Sequence, residues 1–446
     1  MSPHTDIVNP RIKYIKFGIL LLGISFLFIL LFAYLFGLQE EIQPEMVGFE
    51  FLIGILFFTC LYISPNIKNI KQLCFLVFIF CMFCSLILRE YFLIYYEQPY
   101  GLGTDSYKYD LVVSPNVDKT YEDALNSMPY YFGIDDIGYT TVLYVFFKIF
   151  GPNNFGRFFV ILFNSILLFL SSYYIFKLAI TLNFNKQYSL LAAGIFGFFP
   201  FFPITAAVGL KEDIFCCIVC GALYYIIIWM KYKTVPNFLK ACIFIILSIF
   251  FRTSIFLMLF LILGACFIIK YKNRKGFIKW AIILAAVSPI FANFILVAVT
   301  GISFEQVLAV TEGRNQRMGA SVSGPIIQLI AALFGPFPNF IKLAEYGLYY
   351  SSGLLFKSIF NFFTLFGFYL VIRKYLFRYY PLDIYFVFGL AFLIIGGVAL
   401  DMRFACVFFP AQILLGVYGL SNIKKLTLFY WYLPFILLLI FNYNIR

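Results

Sequence analysis

The stretch FGILLLGISFLFILLFAYLFGL, residues 17–38, decides the fold class of this chain, because it contains no charged side chain. A helix of about 17–25 apolar residues crosses the hydrocarbon core of a bilayer. Comparable runs recur towards the C-terminus. Over the whole chain, 63% of the residues are apolar, only 12% are charged, and the mean hydropathy is +0.93. No segment shows the apolar–polar alternation of a membrane barrel. The sequence therefore predicts an all-α, polytopic transmembrane helical bundle.

The apolar runs predict eleven to thirteen membrane spans, joined mostly by short connections. Residues 1–446 are therefore expected to form a single integral membrane domain, with no soluble domain on either face. The thirteen candidate spans are 17–38, 46–63, 73–95, 157–176, 188–208, 213–230, 238–251, 254–269, 280–300, 354–372, 382–400, 404–420 and 426–442.

The distribution of basic residues predicts the orientation of these spans. Connections on one side of the membrane carry 20 of the 33 Lys and Arg residues, with Asp6 and Asp383 as their only acids. The positive-inside rule makes this side cytoplasmic. Basic loops beside a membrane are typical of contact with anionic lipid, and no nucleic-acid-binding motif is present.

The same orientation places two long connections, 96–156 and 301–353, on the external side. Residues 137–151 are too short to cross a bilayer and are predicted to form an interfacial helix. Residues 326–338 are also short and include two prolines, which favours an interfacial or re-entrant helix.

Polar residues on the predicted external side occur at five points that are far apart in the sequence. Any one of these residues alone is explained as a charged side chain that reaches the membrane surface, or as part of a turn. Tight turns usually contain Gly, Asn, Ser or Pro, so several charged turns on one face indicate a shared cavity. The residues are Asp105, Tyr107, Lys108, Tyr109 and Asp110 in the first loop, Lys211, Glu212 and Asp213 in GLKEDIF, Arg252 in FFRTSIF, Arg314 and Arg317 in TEGRNQRMGAS, and Asp401 and Arg403 in LDMRF.

These residue types suit the transfer of a sugar from a lipid-linked phosphate donor to a hydroxyl acceptor. Arginine donates paired hydrogen bonds to phosphate, a carboxylate near the membrane is able to take a proton from a hydroxyl, and aromatic faces suit sugar rings. The predicted catalytic residues are Asp105, Asp110 as the less favoured base, and Glu212. The predicted substrate-binding residues are Lys211, Arg252, Arg314, Arg317, Arg403, Tyr107, Tyr109 and Asp401.

The cofactor requirement follows from the same inventory. The only histidine is His4 in the N-terminal tail, which leaves no imidazole for acid–base catalysis or metal binding in the membrane body. Carboxylates are able to bind Mg²⁺ or Mn²⁺, but arginines beside a phosphate replace a cation. The residues therefore favour a site without metal, whose only cofactor-like requirement is the lipid-linked donor.

Five segments in order along the chain resemble the bacterial GT-C superfamily of membrane glycosyltransferases. The resemblance implies a polyprenyl phosphate or pyrophosphate sugar donor, a GT-C-like architecture, an acid role for Asp105, and donor-phosphate contacts for Arg252, Arg314, Arg317 and Arg403. The first acidic loop follows the third span here, whereas in many members it follows the first. The segments are GTDSYKYD, DDIGYTTVLYVFFKIFG, FPFFPITAAVGLKEDIF, FFRTSIFLMLFLILG and DMRFACVFFPAQILLGVYGL.

The stretch GRNQRMGASVSGP, followed by FGPFPNF, looks similar to repeat-unit polymerases of the Wzy type. This resemblance implies extension of an O-antigen, capsule or exopolysaccharide in the bacterial inner membrane, with the active site facing the periplasm or exterior. The partners would be the bilayer and polyprenyl-linked glycans, and the role leaves room for other polysaccharide-assembly proteins. A polymerase holds two lipid-linked glycans and needs more cations than a single-sugar transferase, so the residues tilt towards the polymerase.

The alternative is a transporter or flippase of lipid-linked oligosaccharide. Carriers usually show similar halves, and ionisable residues near the middle of the membrane. No internal repeat is evident, and the charges interpreted as functional lie at helix ends, with Arg89 and Glu90 the nearest to intramembrane charges. The sequence therefore favours the glycosyltransferase and leaves the carrier as the rival.

Overall fold

A computed structural model describes residues 10–38, 44–98, 104–127, 134–271, 325–341 and 348–445, with a few single positions between 293 and 309. Within these ranges the backbone forms helices joined by turns, and no strand occurs among the residues described. Long apolar helices packed side by side confirm the predicted all-α, polytopic helical bundle.

The helices of the described ranges are labelled here in chain order. They are α1 (Pro10–Leu35), α2 (Pro44–Ile63), α3 (Ile70–Tyr96), α4 (Thr104–Val113), α5 (Tyr121–Ser127), α6 (Ile134–Phe150), α7 (Asn154–Thr181), α8 (Lys186–Gly197), α9 (Phe201–Val208), α10 (Glu212–Tyr232), α11 (Val235–Ile249), α12 (Thr253–Tyr271), α13 (Pro325–Phe334), α14 (Ser351–Lys374), α15 (Tyr380–Ile395), α16 (Met402–Ala405), α17 (Phe409–Asn422) and α18 (Thr427–Ile445).

Nine stretches of the described chain are long and apolar enough to cross a membrane, and each coincides with a predicted span. The spans predicted at 238–251 and 404–420 are helices of 15 and 14 residues, shorter than a bilayer requires. The apolar part of α12 is also short, and most of 280–300 lies outside the described residues. The nine stretches are Arg11–Leu35, Pro44–Asn66, Ile70–Tyr96, Asn154–Thr181, Lys186–Val208, Glu212–Tyr232, Ser351–Lys374, Phe377–Ile395 and Thr427–Ile445.

The span predicted at 188–208 is two helices, α8 and α9, separated by a break at Phe198–Pro200. Proline has no backbone N–H and fits the start of a helix better than its interior, so Pro200 favours a new start here. The apolar window of this span is buried over its whole length. Helices α3, α7 and α17 pack around it, so this broken span is the centre of the bundle.

The most extensive helix–helix contact joins α14 and α17, and glycines permit it. A Cβ atom at Gly367 would collide with the carbonyl oxygen of Leu415, and one at Gly419 with that of Phe363. Small residues allow two membrane helices to approach closely. Because α17 also packs against α8, this contact joins α14 to the centre of the bundle.

The bundle has two ends, which differ in charge. One end, called the site end because the candidate site lies there, is where α3 and α9 end and α7 and α10 begin. The short helices α4 and α16 also lie at this end. At the basic end, α7 and α10 finish while α8 and α11 begin, and the Lys231 ammonium donates to the carbonyl oxygen of Thr181 at 3.3 Å. The predicted interfacial helix 137–151 is part of α6, and the short helix predicted at 326–338 overlaps α13, whereas 310–324 and 342–347 lie outside the described residues.

Candidate functional site

A tight turn between α9 and α10 presents two of the predicted site residues. Gly209 ends α9 with φ +70°, a left-handed conformation that glycine adopts without strain, and the Leu210 N–H returns to the carbonyl oxygen of Thr205 at 2.9 Å. This closure starts the next helix at once, so Lys211 and Glu212 lie at its N-terminus. The chain thereby places a cation and an acid at the site end.

Three predicted residues from distant parts of the sequence meet in one ion-paired cluster, Asp105–Arg403–Glu212. Arg403 donates through Nε to Glu212 Oε1 at 2.9 Å and lies 2.8 Å through Nη1 from Asp105 Oδ2. Glu212 is fully buried, whereas the Asp105 side chain is 39% exposed. The cluster therefore has an inner carboxylate that water does not reach and an outer carboxylate that it does.

The charge of Arg403 is stabilised by this arrangement. Burial by itself would lower the pKa of the guanidinium, but the carboxylates of Glu212 and Asp105 outweigh burial and raise that pKa above its ordinary value. Asp401 begins α16 and accepts the backbone N–H of Arg403 at 2.8 Å, which fixes the arginine's main chain. Glu212 Oε2 is buried with no hydrogen-bond partner among the described residues.

Arg252 lies near the cluster, and its guanidinium packs against two aromatic rings. Its guanidinium lies 4.7 Å from the ring centre of Phe404 and 6.0 Å from that of Phe215. Phe404 directly follows Arg403 in α16, and Phe215 lies one turn after Glu212 in α10, so Arg252 packs against the two helices that carry the cluster. No carboxylate of the described chain pairs with Arg252, which leaves its hydrogen-bond donors available to an anion.

Lys211 is buried and its ammonium donates to the backbone oxygen of Phe251 at 3.1 Å. This bond ties the turn before α10 to the turn before α12, where Arg252 lies. The observed contact is therefore a brace between two turns of the site end. Arg314 and Arg317, predicted to bind the donor phosphate, lie outside the described residues.

Asp105 and Asp110 lie on the same helix, α4, but face different partners. Five residues turn a helix by about 140° beyond a full rotation, so the two carboxylates diverge. Asp110 accepts Arg157 Nη2 and Ser114 Oγ, both at 2.7 Å, and is not part of the Asp105–Arg403–Glu212 cluster. The structure brings together Asp105 and Glu212, and separates the less favoured base from them.

The two tyrosines predicted to flank a sugar also differ. Tyr109 is buried and packs edge-to-face on Tyr139, with ring centres 5.1 Å apart. Tyr107 is half-exposed, so its ring is the one that a sugar is able to reach. Tyr109 instead holds α4 against α6.

Arg157, which pairs with Asp110, was not among the predicted site residues, and neither were the charged residues buried inside the spans. Glu50 accepts the backbone N–H of Ser352 at 2.9 Å, and the Lys357 ammonium donates to the carbonyl oxygen of Gly335 at 2.6 Å. Both side chains are buried, as is Asp383. The interpretation that charges lie at helix ends is therefore incomplete; a single charge within an apolar run was the available signal.

Within the ranges that the structure describes, no group of three or more His, Cys, Asp or Glu side chains is arranged to hold a metal ion. The chain matches no protein-family model and no curated protein. The residues of the site and their contacts are therefore the basis for its chemistry.

Proposed function

We propose that the protein is a membrane glycosyltransferase that uses a polyprenyl phosphate- or pyrophosphate-linked sugar or oligosaccharide. The observation that carries the proposal is the meeting of Asp105, Glu212 and Arg403 beside Arg252 at one end of the bundle. A solvent-accessible carboxylate beside two guanidiniums matches an acceptor base next to a phosphate leaving group. The product is an extended or polymerised cell-surface polysaccharide.

Each residue has a defined part in the proposed reaction. The acceptor hydroxyl attacks the anomeric carbon of the donor, the bond from that carbon to the phosphate oxygen breaks, and Asp105 takes the hydroxyl proton. Arg252 and Arg403 stabilise the charge that develops on the departing phosphate. Glu212 is fully buried, so it holds Arg403 in place and does not meet the substrate.

The location follows from the charge asymmetry. The basic end carries cations such as Lys177, Lys231 and Arg373, and the positive-inside rule assigns that end to the cytoplasm. The site end then faces the periplasm or the cell exterior of a bacterial inner membrane, where polyprenyl-linked sugar chains are extended. The first long loop would approach the donor from that side.

The test is a transfer assay on the detergent-purified protein with a polyprenyl-pyrophosphate oligosaccharide as substrate. A ladder of products on a gel that resolves chain length supports the polymerase, and one added sugar indicates a single-sugar transferase. Arg252→Gln should abolish the product while Arg373→Gln, the same chemical change at the basic end, leaves it intact. Equal activity of both variants would contradict the assignment of Arg252.

A second candidate, a carrier of lipid-linked oligosaccharide, is favoured by Glu50 and Lys357, which are buried within the spans. Ionisable side chains inside membrane proteins often mark transport pathways. Absence of any product, together with movement of the glycolipid across liposomes containing the protein, would establish the carrier and reject the transferase. Loss of that movement in Lys357→Met would locate the pathway.

A further inference from the structure

A small cavity lies beside the Asp105–Arg403–Glu212 cluster and contains two arginines that the proposed reaction does not use. Arg89 from α3 and Arg157 from α7 line it together with Asp110 and Ser106, and its volume is about 30 Å³. Ser106 follows Asp105 directly, and Gly209 of the turn before α10 also lines the cavity. The cavity therefore adjoins the candidate site without being part of it.

Arg89 is a buried cation at the inner side of this cavity. Its Nη2 donates to Asn154 Oδ1 at 2.7 Å, whereas its Nε is buried with no hydrogen-bond partner in the described chain. No described carboxylate forms an ion pair with it. A buried guanidinium with an unsatisfied donor costs free energy unless a ligand completes its hydrogen bonds.

Arg157 forms the outer side of the cavity. It is paired with Asp110 at 2.7 Å, and the two side chains are 17% and 21% exposed, so the cavity meets solvent here. Two guanidiniums and one carboxylate give the cavity a net charge of about +1, and the N-terminus of α7 adds its positive partial charge. An anion is therefore the ligand that the electrostatics favour.

We propose that the Arg89–Arg157 cavity binds a phosphate group. Guanidinium groups donate paired hydrogen bonds in a geometry that matches phosphate oxygens. The volume admits phosphate oxygens, while the rest of the ligand extends past the partly exposed Arg157. Arg89 lies about two turns before the end of α3, the depth expected for a lipid-borne phosphate near the membrane surface.

This proposal deepens the proposed function and rests on it in one respect, the identity of the lipid. Arg252 and Arg403 provide one phosphate site, and the Arg89–Arg157 cavity provides another. A reaction that joins two lipid-linked sugar chains has two phosphate groups to hold. The second site is thus the one expected of a repeat-unit polymerase and unnecessary for a single lipid-linked substrate.

The test is equilibrium binding to the detergent-purified full chain, measured by calorimetry without turnover, with inorganic phosphate and with a short-chain isoprenyl phosphate as separate probes. Arg89→Gln and Arg157→Gln should each weaken binding at the cavity by about tenfold or more and leave binding at the Arg252–Arg403 site, whereas Arg373→Gln should leave both unchanged. Binding of both probes indicates recognition of the anion itself; binding of the isoprenyl phosphate alone indicates a lipid headgroup.

Asp110→Asn separates a ligand-binding role from a structural one. Removing this carboxylate raises the net charge of the cavity, so phosphate should bind more tightly, by about threefold. It also keeps the proposal testable if Arg89→Gln does not fold, because Asp110 is partly exposed and asparagine still accepts from Arg157. Unchanged binding in both arginine variants, or weaker binding in Asp110→Asn, would overturn the proposal. Phosphate binding without any glycosyl transfer would instead reject the proposed function and leave the site standing.

Discussion

The two ends of the bundle use charge in different ways. At the site end, Asp105, Glu212 and Arg403 are joined side chain to side chain, and one of the acids is fully buried. At the basic end, Lys231 bonds a backbone oxygen and the exposed Arg373 donates to the hydroxyl of Tyr369. Charges that set the orientation of the protein need only lie on the correct side of the membrane. Charges that form a site must also lie at fixed distances from their partners.

The largest effect should come from the outer acid of the site end. Asp105→Asn keeps the size of the side chain but removes the proposed base, so the rate of glycosyl transfer should fall by about 10²–10⁴-fold. The pair with Arg403 is partly exposed, so the thermal stability should change little. Asp118→Asn, the same change at an exposed position of the first loop, is the matched control. Full activity of a folded Asp105→Asn protein would remove Asp105 from the mechanism.

The next effect is on stability and arises from the inner acid. Arg403→Leu leaves the buried carboxylate of Glu212 without its cation, which should lower the free energy of unfolding by about 3 kcal/mol. The double variant Arg403→Leu with Glu212→Leu should recover most of that loss, because both charges are then gone. Equilibrium unfolding in detergent measures the free energy of unfolding of both variants. If the double variant were no more stable than the single one, the cluster would not act as a pair.

A smaller effect is expected at the residue that begins α16. Asp401→Ala removes an acceptor for the Arg403 backbone N–H and should cost about 1 kcal/mol of unfolding free energy. Asp401→Asn retains a good capping acceptor and should cost much less. Equal losses in the two variants would show that Asp401 acts through its charge and not as a cap.

The smallest effect should be at the basic end. Arg373 is exposed in the last turn of α14, so Arg373→Gln should change the unfolding free energy by less than about 0.5 kcal/mol and leave the transfer rate unaltered. The same assays that follow Asp105→Asn measure both quantities. A large loss of glycosyl transfer in Arg373→Gln would contradict the assignment of function to the site end alone.

The sequence was sufficient for the fold class and for three residues that meet at the site end. Nine apolar runs match helices within a few residues, because length and apolarity are the requirements of a membrane span. Asp105, Glu212 and Arg403 were chosen from charge and predicted sidedness, and the structure places them in contact. A shared side of the membrane is enough to nominate residues that lie far apart in sequence.

Partner choice was beyond the sequence, because it depends on helix rotation and tertiary packing. Asp105 and Asp110 both lie in GTDSYKYD, and only the rotation of α4 pairs the first with Arg403 and the second with Arg157. Glu50 and Lys357 are single charges in apolar runs, and the apolar residues around them dominate a hydropathy average. The break at Phe198–Pro200 lies inside a continuous apolar run and does not alter its hydropathy.

The complete burial of 188–208 has a consequence for how the chain is made. In the folded protein this segment contacts other helices, yet α17, which packs against it, is synthesised about 200 residues later. At about 5–20 residues per second, the segment waits about 10–40 s in the membrane before that neighbour exists. Its side chains must therefore be apolar enough to lie in lipid during synthesis and must later exchange that lipid for α17. The same side chains must therefore suit insertion into lipid first and packing against protein afterwards.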